Sequence, residues 1–156
     1  MMTTTNHTNY TTETHLRVRY QETDQMGVVY HTNYLVWFEV GRSDFIREQG
    51  YSYQELEEKG ILLPVVEINC KYLSPARYDQ EVVVTTRLAD FSGGKIIFEY
   101  EARKKEDNQL LVTGVTKHLW VNKEMKWVNI KRLFPDLFAK LNAVCTKKEA
   151  ETHCSG

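Results

Sequence analysis

Asp24 is the residue with the most chemistry to offer. It stands in the run Tyr20-Gln-Glu22-Thr-Asp24, which leads into a glycine-containing loop, Met26-Gly27-Val28-Val29-Tyr30-His31. An apolar, aromatic run follows, Tyr34-Leu35-Val36-Trp37-Phe38. A carboxylate just ahead of a helix N-terminus can attack a carbonyl carbon or activate a water against it. The N–H groups of the first turn and the helix dipole then meet the charge that grows on the carbonyl oxygen. The plainer role for the same residue is to close its turn, which aspartate often does.

Such a device needs a helix held at a defined depth and a sheet to hold it. Tyr34, Phe38, Gly41 and Phe45 recur at helical spacing, with Trp37 beside them. Leu35 and Ile46 lie on a second face, so the helix is expected to be buried rather than laid on a surface. It is expected to begin near His31 to Asn33, where Thr32 and Asn33 both suit a cap, and to fade at Gln49-Gly50. A glycine at 41 costs a helix about 1 kcal/mol against alanine, and close contact with a sheet would explain it. Ser52 to Lys59 reads as a short polar helix.

Ahead of the loop, Leu16, Val18 and Tyr20 alternate with Arg17, Arg19 and Gln21, which predicts a half-buried strand over 15–22. From Ile61 the period is again two. Strands are expected through Val66-Tyr72, Val82-Leu88, Ile96-Ala102 and Leu111-Val121. The turn residues between them suggest four strands in a row joined by tight turns, hence an antiparallel sheet. Pro135 opens a last helix to Val144. The layout is α+β, a helix on a sheet, in one domain. Residues 1–14 and 145–156 are polar, with little to bury, and are expected to be flexible tails around a domain at 15–144.

Composition excludes several function classes. With 20 Lys and Arg against 21 Asp and Glu, the chain has no basic footprint for nucleic acid. No apolar run is long enough to span a bilayer. The N-terminus has neither a basic start nor an apolar block, so it does not read as a secretory signal. Cys70, Cys145 and Cys154 are odd in number and widely spaced. That pattern suggests reduced thiols in a cytoplasmic protein, not a disulfide framework or a zinc site.

Residues 20 to 42 resemble the hot-dog-fold acyl-CoA thioesterases, most closely the 4-hydroxybenzoyl-CoA thioesterase/YbgC-like branch. The motif of that family stands here as Tyr20-Gln-Glu22-Thr-Asp24-Gln-Met-Gly27-Val28-Val29-Tyr30-His31-Thr-Asn-Tyr34. Glu39-x-x-Arg42 matches its helix portion, and Ser74-Pro75-Ala76-Arg77-Tyr78-Asp79 a later segment. The resemblance runs from about residue 15 to 144. It implies a five-stranded antiparallel sheet wrapped around a long central helix. It implies hydrolysis of an acyl-CoA to a free carboxylic acid and coenzyme A, with Asp24 as nucleophile or general base and His31 beside it. The N–H groups near Tyr30 and His31 would polarise the carbonyl, and Gly27, Val28 and Tyr34 would lie against substrate. Family members form dimers whose sheets join edge to edge, often paired into tetramers, with the sites between subunits. No metal or redox cofactor is implied; coenzyme A enters as part of the substrate. Two other readings stay open: an enoyl-thioester hydratase or dehydratase on the same fold, and a non-catalytic module that binds acyl thioesters.

The remaining side chains carry paired readings. His31 can orient Asp24 or a water, or simply be a polar residue at a helix start. Some family members have proline at its position, so its N–H matters more than its imidazole. Glu22 suits a supporting hydrogen-bond partner. Glu39 in an apolar helix calls for a partner, and Arg42 is in reach. A helix glutamate is the catalytic group of another thioesterase branch, which makes Glu39 the second choice. The aromatic stripe is chiefly core, with Tyr34 the pocket wall. Ser92-Gly93-Gly94-Lys95 suits either a plain hairpin or a coenzyme A phosphate held by exposed N–H groups and the lysine.

Overall fold

A computed structural model describes residues 9–146 of the chain. The expected tails fall largely at 1–8 and 147–156, outside the described residues. In chain order the elements are β1 (Thr12–Arg17), a 3-10 turn (Tyr20–Glu22), α1 (Asn33–Glu48), α2 (Tyr53–Glu58) and β2 (Val65–Tyr72). They continue with β3 (Glu81–Phe91), β4 (Lys95–Lys104), β5 (Leu110–Leu119), α3 (Ile130–Leu133) and α4 (Pro135–Val144). The five strands form one antiparallel sheet in the order β1-β3-β4-β5-β2. The sheet wraps α1, the α+β hot-dog arrangement. No helix of the described residues is long and apolar enough to cross a membrane.

The buried face of α1 is Tyr34, Trp37, Phe38, Gly41, Phe45 and Ile46. It meets the inward residues of β3, β4 and β5, among them Val84, Leu88, Phe98, Tyr100 and Val112. Phe38 lies flat on Tyr100, centroids 4.4 Å apart and planes 13° from parallel. Two glycines permit this approach. A Cβ on Gly41 would stand 2.5 Å from Thr86 Oγ1 and 3.3 Å from Val84 Cγ1. One on Gly114, on β5, would run into the Phe38 ring. Gly114→Ala is therefore expected to cost about 1–3 kcal/mol as overpacking and to lower the melting midpoint by roughly 2–12 °C. A calorimetric midpoint unchanged from wild type would show that the helix can lift off the sheet without cost.

Four expectations are corrected. The first strand begins at Thr12, inside the segment expected as a tail, and ends at Arg17 rather than Glu22. Thr12 and Thr14 are buried, because their hydroxyls donate to Glu48 at 2.8 Å and to Asp44 at 2.6 Å on α1. At the other end, Thr146 is tied to β3 through its N–H and hydroxyl, both bonded to the Leu88 carbonyl. Tyr20, expected inward, is exposed, since the chain turns out of the sheet at the 3-10 turn. Finally, β2 and β3 are not a hairpin. β2 sits at the edge beside β5, and the link over 73–80 crosses to the β3 side below the start of α1. The Ser74-to-Asp79 segment thus becomes the floor under the helix start.

Candidate active site

Glu22 organises the loop that carries Asp24. It is 6% exposed, and its carboxylate accepts from Arg19 N at 2.8 Å and from Trp37 Nε1 at 3.0 Å. Arg19 adds a guanidinium at 3.4 Å. The Glu22 carbonyl in turn accepts from Tyr30 N and from Asn33 Nδ2, both at 2.9 Å. One buried residue therefore pins the 3-10 turn, the far end of the loop and the first turn of α1. A buried carboxylate is tolerated only with such donors.

Between these anchors the loop folds on itself. Asp24 N donates to Val28 O and Gly27 N to Asp24 O, both at 2.9 Å. Gly27 has φ of 81°, the left-handed region that suits glycine. Asp24 Oδ1 accepts from Met26 N at 2.8 Å. Its other carboxylate oxygen takes no hydrogen bond among the described residues. Asp24 thus closes its turn through one carboxylate oxygen and leaves the other without a hydrogen bond among the described residues.

The helix start is left uncapped by its own side chains. Thr32, the N-cap, makes no side-chain cap bond, and Asn33 spends its amide on Glu22. Both were expected as caps. The Tyr30 N–H, expected to face a carbonyl, is occupied by the Glu22 carbonyl. The His31 N–H, one residue ahead of the N-cap Thr32, has no acceptor among the described residues.

Asp24, Val28, His31, Tyr34, Tyr72 and Pro75 line one open pocket of about 310 Å³. The floor is held by Ala76, whose N–H donates to Tyr34 Oη at 3.1 Å and whose carbonyl accepts from Val29 N at 2.9 Å. Burial pushes the Tyr34 phenol up, so it stays protonated. Tyr72, the last residue of β2, joins the pocket although its place in the alternation marks it only as a strand residue. Its ring stands edge-on to His31 and Tyr34, and its hydroxyl donates to the His31 carbonyl at 3.1 Å. Alternation places Tyr72 on the inner face with Val66, Ile68 and Cys70, but only the edge position of β2 brings it to the helix start.

Other expected site residues lie elsewhere. Glu39 is exposed on α1 and forms no ion pair with Arg42 among the described residues. It needs none, because its face of the helix is not covered by the sheet. Arg42 instead lies beside the buried hydroxyls of Tyr53 and Tyr100. Gly93, Gly94 and Lys95 form the β3–β4 hairpin and do not line the Asp24 pocket. A Cβ on Gly93 would strike Asn129, and one on Gly94 would lie 2.5 Å from the Trp127 ring. The Gly94 and Lys95 N–H groups turn in to Ser92 Oγ at 3.3 and 3.2 Å. Lys95 Nζ is 3.7 Å from Asp90. These glycines serve the close packing of residues 127–129. Among the described residues, no three His, Cys, Asp or Glu side chains gather as a metal site.

Fold and pocket together define a hot-dog enzyme of the thioester-hydrolase class. The family model of the thioesterase-like superfamily matches residues 18–141. The protein YneP of Bacillus subtilis (strain 168) is 43% identical over 122 residues, 78% of this chain and 88% of that protein. The acyl-CoA thioester hydrolase YbgC of Escherichia coli O6:H1 is 30% identical over 95 residues, 61% of this chain and 71% of that protein. Among solved structures, the DHNA-CoA thioesterase of Staphylococcus aureus superposes with a TM-score of 0.83 at 33% identity, covering 94% of this chain and 95% of that one. The chain belongs to the thioesterase-like superfamily.

Proposed function

We propose that this chain hydrolyses acyl-CoA thioesters to a carboxylic acid and coenzyme A at the start of α1. The observation that supports the reading is one pocket lined by both Asp24, one of whose carboxylate oxygens takes no hydrogen bond among the described residues, and His31, just ahead of α1. A thioester carbonyl with its oxygen toward the His31 N–H is polarised by the helix end as well. The Asp24 oxygen then attacks the carbonyl carbon to give an acyl anhydride that water cleaves, or it takes a proton from a water that attacks directly. In either route the thiolate of coenzyme A leaves. The relatives named for coenzyme A thioesters support that carrier, and a cytoplasmic location accords with it. The test is thiol release from a panel of short, long and aromatic acyl-CoAs, run beside hydration of a 2-enoyl-CoA. Hydration without thiol release would assign the pocket to the hydratase reading instead.

The functional unit we propose is a homodimer, with a dimer of dimers as the further step. β2 is an edge strand whose Val65, Val66 and Ile68 are exposed in the single chain. A bare apolar edge is a template for another strand. Pairing two copies along β2 would continue the sheet and cover the open flank of the pocket beside Tyr72. Ile68→Asp is expected to shift the particle from dimer to monomer in sedimentation equilibrium and to lower activity with it. A wild-type mass for that variant would place the contact elsewhere.

A further inference from the structure

Tyr72 faces α1 yet is 48% exposed in the single chain, because β2 is the sheet edge and none of the described residues covers its outer side. Its ring fills the gap between the floor of the pocket and the helix start. The centroid lies 6.0 Å from His31 at 88° and 5.7 Å from Tyr34 at 61°. Tyr34 in turn stands edge-on to Trp37 at 4.9 Å. Three of these rings, His31, Tyr34 and Tyr72, line the Asp24 pocket, and Tyr72 is far more exposed than the buried Tyr34. Its hydroxyl does a separate job. By donating to the His31 carbonyl at 3.1 Å it holds the plane of the peptide that follows His31, at the point where α1 begins.

The geometry points to Tyr72 as a specificity-determining residue through its ring, and as a positioning residue for the helix start through its hydroxyl. This rests on the thioesterase reading of the pocket. A ring wall with an open face favours a flat, aromatic acyl group over a flexible chain of the same carbon count. Edge-to-face contact adds roughly two- to tenfold beyond the area buried. A flexible chain also gives up more rotamer freedom when it is bound. The hydroxyl does not touch the acyl group, so its loss acts on all substrates alike.

The experiment compares benzoyl-CoA with heptanoyl-CoA, which carry equal numbers of acyl carbons, for wild type, Tyr72→Phe and Tyr72→Leu. Wild type is expected to prefer benzoyl-CoA in kcat/KM by roughly tenfold. Tyr72→Leu should bring the ratio close to one, mainly by raising KM for benzoyl-CoA. Tyr72→Phe should keep the ratio and lower kcat for both substrates by roughly three- to tenfold at constant KM, the loss of one hydrogen bond. A general weakening of the fold would not split KM and kcat between the two variants in this way. A benzoyl preference retained in Tyr72→Leu overturns the role of the ring. Wild-type kcat in Tyr72→Phe overturns that of the hydroxyl, and because this variant keeps the ring it is informative even where the leucine variant fails to fold. Absence of thiol release by wild type on these two substrates and across the whole panel of short, long and aromatic acyl-CoAs defeats the thioesterase reading itself; turnover on the panel with no benzoyl preference in wild type defeats only this inference. An active enzyme with unchanged ratios defeats only this inference.

Discussion

Asp24→Asn is expected to lower kcat for thioester hydrolysis by about 10²–10⁴-fold, the range a positioned acid–base group contributes. KM should change little, because the amide occupies the same volume. The substitution is informative because of what it preserves. Asp24 Oδ1 accepts from Met26 N, and an asparagine carbonyl can accept the same bond. Gly27 and Val28 meet Asp24 through its backbone and are untouched. The turn, the Glu22 anchor and the uncapped helix start should all persist, so the variant removes the anionic oxygen and little else. Thiol release under saturating acyl-CoA measures it, with the melting midpoint as control. Wild-type turnover in a folded Asp24→Asn protein would reduce Asp24 to a turn residue and leave the hydrolysis without its base.

The second large effect lies in acid stability, away from the pocket. His118 is fully buried on β5 and is pushed down from 6.5 to about 4, first by burial and then by the charge of Arg42 on α1. Its surroundings explain why it stays neutral. Nδ1 lies 3.2 Å from the Leu63 carbonyl, which can only accept, so Nδ1 carries the proton. Nε2, 2.8 Å from Thr116 Oγ1, must then accept the threonine hydroxyl. Thr116 can in turn accept from Tyr100 at 2.7 Å. A second proton on the ring would make Thr116 turn to donate to Tyr100 and would leave a buried imidazolium near the charge of Arg42. In the unfolded chain the imidazole takes that proton below about pH 6.5. As pH falls from there toward 4, the unfolded state binds a proton that the folded state refuses. Stability is lost at up to about 1.4 kcal/mol per pH unit, roughly 3 kcal/mol in all. Carboxylates add their own acid dependence, so the comparison is between wild type and His118→Gln, which can keep both partners but does not titrate. Unfolding free energies from urea titrations should fall between pH 7 and pH 4.5 by roughly 2–3 kcal/mol more in wild type than in the variant. Parallel losses in both proteins would show that protonated His118 is accommodated.

The two effects come from residues of very different legibility. Asp24 could be picked out because its setting is local: a carboxylate, a left-handed glycine and a helix start within a dozen residues. The long helix could be read because its apolar spacing is a property of the helix alone. The same holds for Ser52, which accepts from Glu55 N at 3.1 Å while Glu55 returns a bond to Ser52 N at 2.9 Å. His118 offered nothing of the kind. Its proton state depends on Leu63, Thr116, Tyr100 and Arg42, which come from three elements and a loop.

Where the reading failed, the missing information was always a neighbour. Thr12 and Thr14 look like solvent-facing residues until Asp44 and Glu48 on α1 take their hydroxyls. Glu39 looks like a buried charge in need of Arg42 until one sees that the sheet leaves its face open. Gly93 and Gly94 read equally as a phosphate cradle or a plain hairpin, and only the fold shows that they lie against Asn129 and Trp127. The periods, the turns and the order of acid, loop and helix are legible in the residues, because they follow from backbone conformations within a few residues. That β2 leaves its successor to form the edge beside β5 depends on the packed fold. That one choice runs the 73–80 link under the helix start and sets Tyr72 against His31. Strand pairing joins residues far apart in the chain, and no local propensity encodes which edge a strand will take.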